Sequence, residues 1–428
     1  MCMAMPLSEN YTLTTGGRAV DVFHTDSGDF AVVCFSGFTE IVVTAKNIFK
    51  EVFVRPLGKN YGARTYGNEI RLTLTDRDRV SVEPYGLKNP LFIFCAKYIE
   101  QPANATHIFK RGTVTQYENL ELTSGDCVYI EEGAQLISHI TANRAKNIEI
   151  TGNGILWGLP LHPPERSGVK FIKFSDCDNV RMSGVTITDS PAWNVVPIAC
   201  RNVEIDGINI IGMLGITDGI DVVGCSDVNI KHCFICVNDD CIVLKASRTP
   251  ALDPDFRGAR DIKNVRASDC VLWKKKCGNA IEIGYETSCN EISDISFEDI
   301  DIIHCEPEGW QSGAVFSIHL GDRAHIHDVR YKNIRVEDAG DKLIDLKIQT
   351  YGNSLDTQRG EMDGILFDGI YVLGGVLPPS IIRGFEDMGV QKIIRDVRVS
   401  NLFLNGERVA GKANAHVIAE LTAGIVFE

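Results

Sequence analysis

The sequence predicts an all-β protein in which a parallel β-helix follows a small N-terminal β-sandwich. From about residue 120 onward, a short pattern recurs in which Asn, Asp or Gly precedes Val or Ile and alternating residues follow. This alternation has the period of two residues that is typical of strands. The pattern returns every 23 to 37 residues, which indicates a stacked repeat, and the first hundred residues lack it.

Nine units carry the repeat, and each is one predicted coil. They begin at Lys146, Asp178, Arg201, Ser226, Lys263, Ser293, His327, Asp363 and Arg395. The units are too short for propeller blades, which need four strands in about 40–45 residues, and they lack the Leu and Asn positions of a leucine-rich repeat. A parallel β-helix is the remaining architecture, and its neighbouring coils lie about 4.8 Å apart.

The N-terminal part contains short strands that are separated by Gly, Asn and Asp turn signals, a pattern that indicates a β-sandwich. The predicted strands are Ala31–Phe35, Glu40–Thr44, Val52–Val54, Ile70–Thr75 and Val80–Glu83. Lys88–Asn89–Pro90 and Gln101–Pro102 mark the passage out of this module. We therefore predict an N-terminal sandwich domain over residues 1–104 and a β-helix domain over residues 105–428. The tail from about residue 405 is expected to cap the last coil.

Composition narrows the possible partners of this chain of 428 residues. A formal net charge of −14 disfavours nucleic acids and anionic membranes, which require basic patches. No apolar run has the length of a transmembrane span. The start of the chain, Met1–Pro6, lacks a secretory signal. The 14 cysteines lie mainly in strand-like segments, as buried reduced thiols do. We expect a cytoplasmic protein, or a secreted or periplasmic one if a leader has been removed.

Three carboxyl side chains, Asp218, Asp239 and Asp240, lie within 23 residues in a region of short apolar strands. Strand interiors avoid Asp, and like charges this close repel one another and shift their pKa values. Single Asp residues in a β-helix usually cap turns, but three on adjacent coils favour a functional site. A calcium loop would place oxygen ligands at alternating positions. Cys241–Leu244 follows the pair without them, so we expect neither a metal nor a cofactor.

The stacking of coils predicts how these carboxyl groups meet. Aligning the inward aliphatic residues Ile220, Ile242 and Ile281 creates two columns, which are Asp218, Asp240 and Asn279 in one and the outward-facing Asp221, Val243 and Glu282 in the other. Two carboxylates on adjacent coils could hold one water between them, with the third facing it. This arrangement suits inverting glycoside hydrolysis, in which acid and base stand about 6.5–9.5 Å apart to admit water.

Two motifs make the sequence similar to a known family. Ile216–Thr217–Asp218–Gly219 and Asn238–Asp239–Asp240–Cys241 resemble the Asn-Thr-Asp-Gly and Gly-Asp-Asp-Cys motifs of glycoside hydrolase family 28, the polygalacturonase family. The resemblance covers roughly residues 105 to 400. It implies a right-handed parallel β-helix, with Asp239 as general acid and with Asp218 and Asp240 activating water. The first module, with Val54–Leu57, resembles the β-sandwich of some bacterial family 28-like proteins and of dextranase family 49.

The sequence also departs from that family. Gly278–Asn279–Ala280 stands where the family has Gly-His-Gly, and Ser317–Ile318–His319 stands where it has Arg-Ile-Lys. The second change removes the cations that would bind a galacturonate carboxylate. Lys245 or Arg323 could supply a charge from another position. We expect a neutral sugar or an unusual oligosaccharide and not plain galacturonan.

Further residues are predicted around the three carboxyl groups. Glu286 is a weaker candidate than Glu282 for binding a sugar hydroxyl or assisting proton transfer. Trp193 either forms a platform for a sugar ring or packs at a corner of a coil. Trp273 and Trp310 could form walls of the groove. Cys233 and Cys236 have metal-ligand spacing without a second pair, so a core position is expected. The predicted substrate-binding residues are Asn279, Glu282, His319, Asp221, Lys245 and Trp193.

The sequence therefore predicts an inverting glycoside hydrolase whose partner is an oligosaccharide or polysaccharide. A groove that inserted loops close at one end would favour exo-action. Two alternatives stay open at this stage: a lyase or transglycosylase on the same scaffold, and a non-catalytic carbohydrate-binding β-helix. The second would not need Asp239 and Asp240 side by side.

Overall fold

The protein is all-β in the computed structural model, which describes residues 3–161, 169–247, 260–308, 313–375 and 377–428. Within these residues the only helical segments are two 3-10 turns, Leu57–Lys59 and Leu159–Leu161. No helix in the same ranges is long and apolar enough to cross a membrane. One sheet of 31 strands, paired from coil to coil and almost entirely in parallel, forms a β-helix. The predicted fold class is therefore confirmed.

Two five-stranded sheets precede the β-helix and share one apolar core, to which Leu13, Val33 and Val43 belong. All five predicted strands overlap observed ones. The strand Leu91–Ala96 lies beyond the predicted passage at Lys88–Pro90 and was not predicted. It is apolar throughout, so it lacks the alternation by which the other strands were recognised. The first sheet consists of Arg18–Val20, Tyr11–Thr15, Phe38–Ala45, Glu69–Thr75 and Arg64–Tyr66, and the second of Phe23–Thr25, Gly28–Cys34, Leu91–Ala96, Arg79–Glu83 and Phe53–Arg55.

The β-helix has three faces, each a ladder of parallel strands. The first face, which carries the candidate site, contains Ile172–Ser175, Val195–Ile198, Ile220–Val223, Ile242–Ala246, Ile281–Thr287, Ala314–Leu320, Lys342–Ile348, Ser380–Arg383 and Val417–Glu420. The second contains Ile155–Trp157, Thr186–Thr188, Asn209–Ile211, Phe234–Val237, Val271–Lys274 and Asp301–Cys305. The third contains His107–Phe109, Cys127–Ile130, Lys146–Gly152, Asp178–Ser183, Arg201–Asp206, Ser226–Lys231, Ile262–Ser268, Glu291–Glu298, Glu361–Met362 and Val426–Phe427.

Five long strands turn a corner and belong to two faces; they are Val114–Leu122, Gln135–Asn143, His325–Glu337, Ile365–Leu373 and Val397–Leu404. The tail continues the ladders over the last coil. The remaining strands near the C-terminus form three pairs. Glu407–Val409 pairs with Val397–Leu404, Phe385–Asp387 pairs with Val390–Lys392, and Ile394–Arg395 pairs with Thr422–Ala423.

The repeat read from the sequence is the register of the third face. Ile148 pairs with Val180, which pairs with Val203, and the ladder continues in this way to Val397. The residue before each of these positions has a left-handed backbone, which Asn, Asp and Gly adopt at low energetic cost. These residues are Asn147, Asn179, Asn202, Asp227, Asn264, Asp294, Asp328, Gly364 and Asp396.

The sandwich packs against the second face of the β-helix through aromatic side chains. Phe92 and Phe94 each lie 5.0 Å, centroid to centroid, from Phe234, and Trp273 meets the Phe92 ring edge-on at 5.8 Å. Trp273 is fully buried in this contact. The expectation that it walls the groove is therefore wrong, and Trp310 lies outside the described residues.

Candidate active site

Three successive coils bring the predicted column together on the first face. Ile220 pairs with Ile242 and Ile242 with Ile281, as the inward aliphatic residues predict. Asp218, Asp240 and Asn279 each lie two residues before one of these isoleucines. Backbone hydrogen bonds extend the ladder to them: the N–H of Gly219 donates to the Asp240 carbonyl at 2.8 Å, and the N–H of Cys241 to the Asn279 carbonyl at 3.0 Å.

A single buried ammonium lies among the carboxyl groups. Lys245 Nζ is 2.7 Å from Asp218 Oδ2, 3.2 Å from Asp221 Oδ1 and 4.0 Å from Asp240 Oδ2. Burial opposes its charge, but Asp218, Asp221 and Asp240 together raise the pKa of Lys245 well above its usual value. Lys245 is therefore a permanent cation at the centre of the carboxyl groups.

Asp239 lies at the same cleft in different surroundings. It forms no ion pair with any described residue, and its Oδ1 accepts the backbone N–H of Asp240 at 3.1 Å. Burial, followed by the charges of Asp218 and Asp240, raises the pKa of Asp239 to about 9. Gly278, at φ +64°, packs so closely that a Cβ there would lie 2.4 Å from Asp239 Oδ1. Asp239 thus holds a proton at neutral pH in a tightly enclosed position.

Asn279 fixes Asp240 and links it to the next coil. Asp240 Oδ1 accepts the backbone N–H of Asn279 at 2.8 Å and its Nδ2–H at 3.0 Å. In turn, Asn279 Oδ1 accepts the N–H of Ala314 at 2.9 Å and the Ser317 hydroxyl at 2.6 Å. Burial and the charge of Asp218 raise the pKa of Asp240 to about 7. Asp240 therefore takes and releases a proton near neutrality.

A cleft of about 490 Å³ opens above these side chains. Tyr285 and Tyr351 form one wall with stacked rings, whose centroids are 4.6 Å apart. Sequence reasoning missed both: Tyr285 sits between the predicted Glu282 and Glu286, whereas Tyr351 comes from a distant loop and left no signal. The lining residues are Trp193, Gly215, Asp218, Asp239, Asp240, Lys245, Cys277, Gly278, Asn279, Gly284, Tyr285, Glu286, Glu308, Tyr351 and Asn353.

Glu282 and His319 were predicted to bind substrate, but neither lines the cleft. Both are buried beneath Tyr285, whose ring stacks on the imidazole at 4.4 Å. His319 Nδ1 lies 3.0 Å from Glu282 Oε1, and its Nε2 lies 3.4 Å from Asp345 Oδ2. Burial opposes protonation of His319, but Glu282 and Asp345 raise its pKa to about 9. The pair supports the cleft wall as a buried ionic network.

The predicted outward-facing column is therefore covered and not solvent-exposed. Asp221, Val243 and Glu282 are each fully buried. Neighbouring side chains cover the column: Lys245 of the next coil bonds Asp221, and Tyr285 of the same strand as Glu282 stacks on His319, the partner of Glu282. Asp221, predicted to bind substrate, does not reach the cleft surface.

Trp193 also lines the cleft, and two ammonium groups face its ring. Lys170 Nζ lies 3.3 Å and Lys245 Nζ 4.0 Å from the ring centroid. Arg323, considered as an alternative cation, pairs with Asp356 at 3.0 Å and does not line the cleft. The role of Trp193 as a sugar platform stays a prediction.

The cysteines in the described part of the chain are all free. Cys233 and Cys236 are fully buried in apolar clusters, in agreement with the predicted core position. In the same part of the chain, no group of three or more His, Cys, Asp or Glu side chains is arranged to hold a metal ion.

Comparison with known sequences gives one family. The profile of glycosyl hydrolases family 28 matches residues 123–370, which is more than half of the chain. A probable polygalacturonase of Vitis vinifera is 27% identical over 199 residues, covering 45% of this chain and 38% of the relative. A probable polygalacturonase of Arabidopsis thaliana is 27% identical over 198 residues, covering 46% and 38%. The chain thus spans about two fifths of the length of these relatives.

Solved structures show the same fold. A hyperthermoactive exopolygalacturonase from Thermotoga maritima superposes with a TM-score of 0.57 at 16% identity, over 74% of this chain and 82% of that one. Dex49A from Penicillium minioluteum superposes with a TM-score of 0.62 at 13% identity, over 95% and 90%. At such low identity, these likenesses concern the architecture alone.

Proposed function

This chain belongs to glycosyl hydrolases family 28 and is a glycoside hydrolase, and from that premise we propose how its cleft works. We propose that it cleaves an O-glycosidic bond of an oligosaccharide or polysaccharide with inversion at the anomeric carbon. Asp239 donates its proton to the glycosidic oxygen as the carbon–oxygen bond breaks. Asp218 and Asp240 orient a water on the opposite face of the sugar, and its proton passes to that pair as the new bond forms.

The observation that carries this proposal is the difference in surroundings between neighbouring carboxyl groups. Lys245 contacts Asp218 at 2.7 Å and approaches Asp240 at 4.0 Å, where its charge opposes the rise in the pKa of Asp240, which stays at about 7. Asp239 has no ion pair within the described residues and keeps its proton to a pKa of about 9. Environments that separate the pKa values of adjacent carboxyl groups create one acid and one base.

Asn substitutions test these roles. We expect Asp239→Asn, Asp218→Asn and Asp240→Asn each to lower kcat by about 100- to 10,000-fold, the usual contribution of a positioned acid or base. Asp227→Asn is the matched control, because Asp227 lies in the strand Ser226–Lys231 on another face at φ 57°, where Asn is equally suitable. Wild-type turnover by Asp239→Asn on a panel of oligosaccharides would contradict the assignment of the acid.

For the substrate, we propose a neutral sugar or an unusual oligosaccharide and not plain galacturonan. Among the described residues that line the cleft, Lys245 is the only cation, and it is already engaged by carboxylates. Five acidic side chains line the same space, namely Asp218, Asp239, Asp240, Glu286 and Glu308. A uronate would therefore meet mostly like charges, since the other nearby ammonium, Lys170, lies against the Trp193 ring and does not line the cleft. Efficient hydrolysis of plain oligogalacturonate would contradict this proposal.

We also propose that the enzyme acts from a chain end, because a loop from a later coil forms part of one wall of the cleft. Tyr351 and Asn353 of this loop line the site, and the loop is anchored to the turn after Ala314–Leu320. The Ser354 hydroxyl donates to the Gly321 carbonyl at 2.6 Å, and the N–H of Leu355 to Asp322 Oδ1 at 2.6 Å. Chromatography of early products separates the modes: exo-action releases one short product, and endo-action a ladder of lengths.

A further inference from the structure

Asp221 adjoins the reacting carboxyl groups but does not reach the cleft. Its side chain is fully buried in the strand Ile220–Val223. Its partner on the next coil is Val243, and Val196 occupies the corresponding position on the preceding coil. An ionised carboxylate between two valines is unfavourable unless charges or donors nearby compensate it.

The compensation present is one ammonium for two carboxyl groups. Lys245 Nζ bonds Asp218 Oδ2 at 2.7 Å and Asp221 Oδ1 at 3.2 Å. The other two oxygens, Asp218 Oδ1 and Asp221 Oδ2, are buried without a hydrogen-bond partner in the described residues. Both carboxyl groups bond the same Nζ, so they lie beside each other. Two ionised carboxylates cannot hydrogen-bond each other, because each is only an acceptor.

The other charges near Asp221 act in opposite directions. Lys170 contacts the Trp193 ring and forms no ion pair with a described residue, and its charge favours the Asp221 anion only from a distance. Asp240 shares Lys245 at 4.0 Å and adds further negative charge. One proton shared by Asp218 and Asp221 would supply the missing donor and leave one anion for the bonded ammonium.

We propose that Asp221 is a neutral positioning residue that donates its O–H to Asp218 and so aims the carboxylate at the attacking water. This inference rests on the proposed function of Asp218 as part of the base. Burial and the charge of Asp218 also raise the pKa of Asp221 well above its usual range, in agreement with a retained proton. With donors from Lys245 and Asp221 fixed on its two oxygens, Asp218 keeps one orientation and its remaining lone pairs are free for water.

Three substitutions at this position test the role. Asp221→Asn keeps a donor of the same shape, so we expect kcat to stay within about threefold of wild type. Asp221→Ala and Asp221→Val remove a hydrogen bond to a charged group, so kcat should fall roughly 10- to 100-fold while KM changes little. In these two variants the shape of the pH profile of kcat/KM should also change, because the proposed base loses a hydrogen-bond donor. Purely structural damage would lower the profile without changing its shape.

Infrared difference spectroscopy gives a readout that does not depend on turnover. At neutral pH the wild-type spectrum should contain the carboxylic-acid carbonyl band of Asp239 and a second such band, from Asp221, that is absent from Asp221→Asn. Loss of kcat in Asp221→Asn equal to that in Asp221→Ala would overturn the proposal, since a carboxylate would then be needed. An unchanged band in Asp221→Asn, or wild-type kcat in Asp221→Val, would also overturn it. If Asp218→Asn itself retained wild-type kcat, the proposed function would fail. The infrared result would still show whether Asp221 holds a proton.

Discussion

Replacing Asn279 with alanine perturbs the base of the proposed mechanism through one hydrogen bond. Asp240 Oδ1 accepts two N–H groups of Asn279, and the substitution removes the Nδ2–H at 3.0 Å while the backbone N–H at 2.8 Å stays. Because this bond favours the ionised form of Asp240, its loss raises the pKa of Asp240. The expected consequence is a shift in the pH dependence of activity, and not its abolition.

The size of this shift follows from the strength of the lost bond. A hydrogen bond to a charged group contributes about 1.5–3 kcal/mol, which corresponds to an increase of about 1 to 2 in pKa. The pKa of Asp240 would then rise from about 7 to roughly 8–9. At pH 7 the ionised fraction, and with it kcat/KM, should fall about 5- to 50-fold. Activity should recover toward pH 8–9, until Asp239 loses its proton.

The assay is the pH profile of kcat/KM for wild type and Asn279→Ala. Wild type should give a bell whose lower limb lies near pH 7 and whose upper limb lies near pH 9. Ser317→Ala is the matched control, because it removes a partner of Asn279 Oδ1 and leaves the contact with Asp240 intact. An unmoved lower limb in Asn279→Ala, or an equal shift in Ser317→Ala, would refute the reasoning.

Three further outcomes are expected. Lys245→Met should lower the free energy of unfolding by about 3–5 kcal/mol in denaturant titrations, because it leaves buried carboxylates uncompensated; a loss below 1 kcal/mol would contradict the ionic role. Burial opposes the charge of His304, but Asp338 and Glu83 raise its pKa, so its stabilisation is present at pH 6 and is lost as pH rises through the folded pKa. His304→Gln should therefore lower Tm more at pH 6 than at pH 9, and a pH-independent difference would exclude this linkage. Cys277 lines the cleft and is partly exposed, so a bound oligosaccharide should slow its alkylation, and equal rates with and without sugar would place binding elsewhere.

The coil register could be predicted because it depends on local residue types. Left-handed Asn and Asp residues mark one corner of each coil, and the apolar residue that follows sets the ladder. Once the register is known, Asp218, Asp240 and Asn279 must lie side by side. The predicted column therefore agrees with the observed pairing of Ile220, Ile242 and Ile281.

The burial around this column could not be predicted in the same way. Tyr351 stands 69 residues after Glu282 in the sequence, and its ring reaches the site only through a loop anchored on another coil. Alternation alone assigns Glu282 and His319 to an outward face, but it cannot show that Tyr285 covers them. Trp273 was misplaced for a related reason, since the sandwich that covers it belongs to a separate part of the chain.

The measurement that tests the central claim most directly is NMR analysis of the products formed in ¹⁸O-labelled water. Early spectra on a broad glycan panel, including galacturonides, report the configuration of the newly released anomeric carbon. We expect a hemiacetal of inverted configuration that carries ¹⁸O at that carbon, and no such product from Asp239→Asn. A retained configuration, an unsaturated sugar or a product without ¹⁸O would contradict inverting hydrolysis and favour a transglycosylase or a lyase.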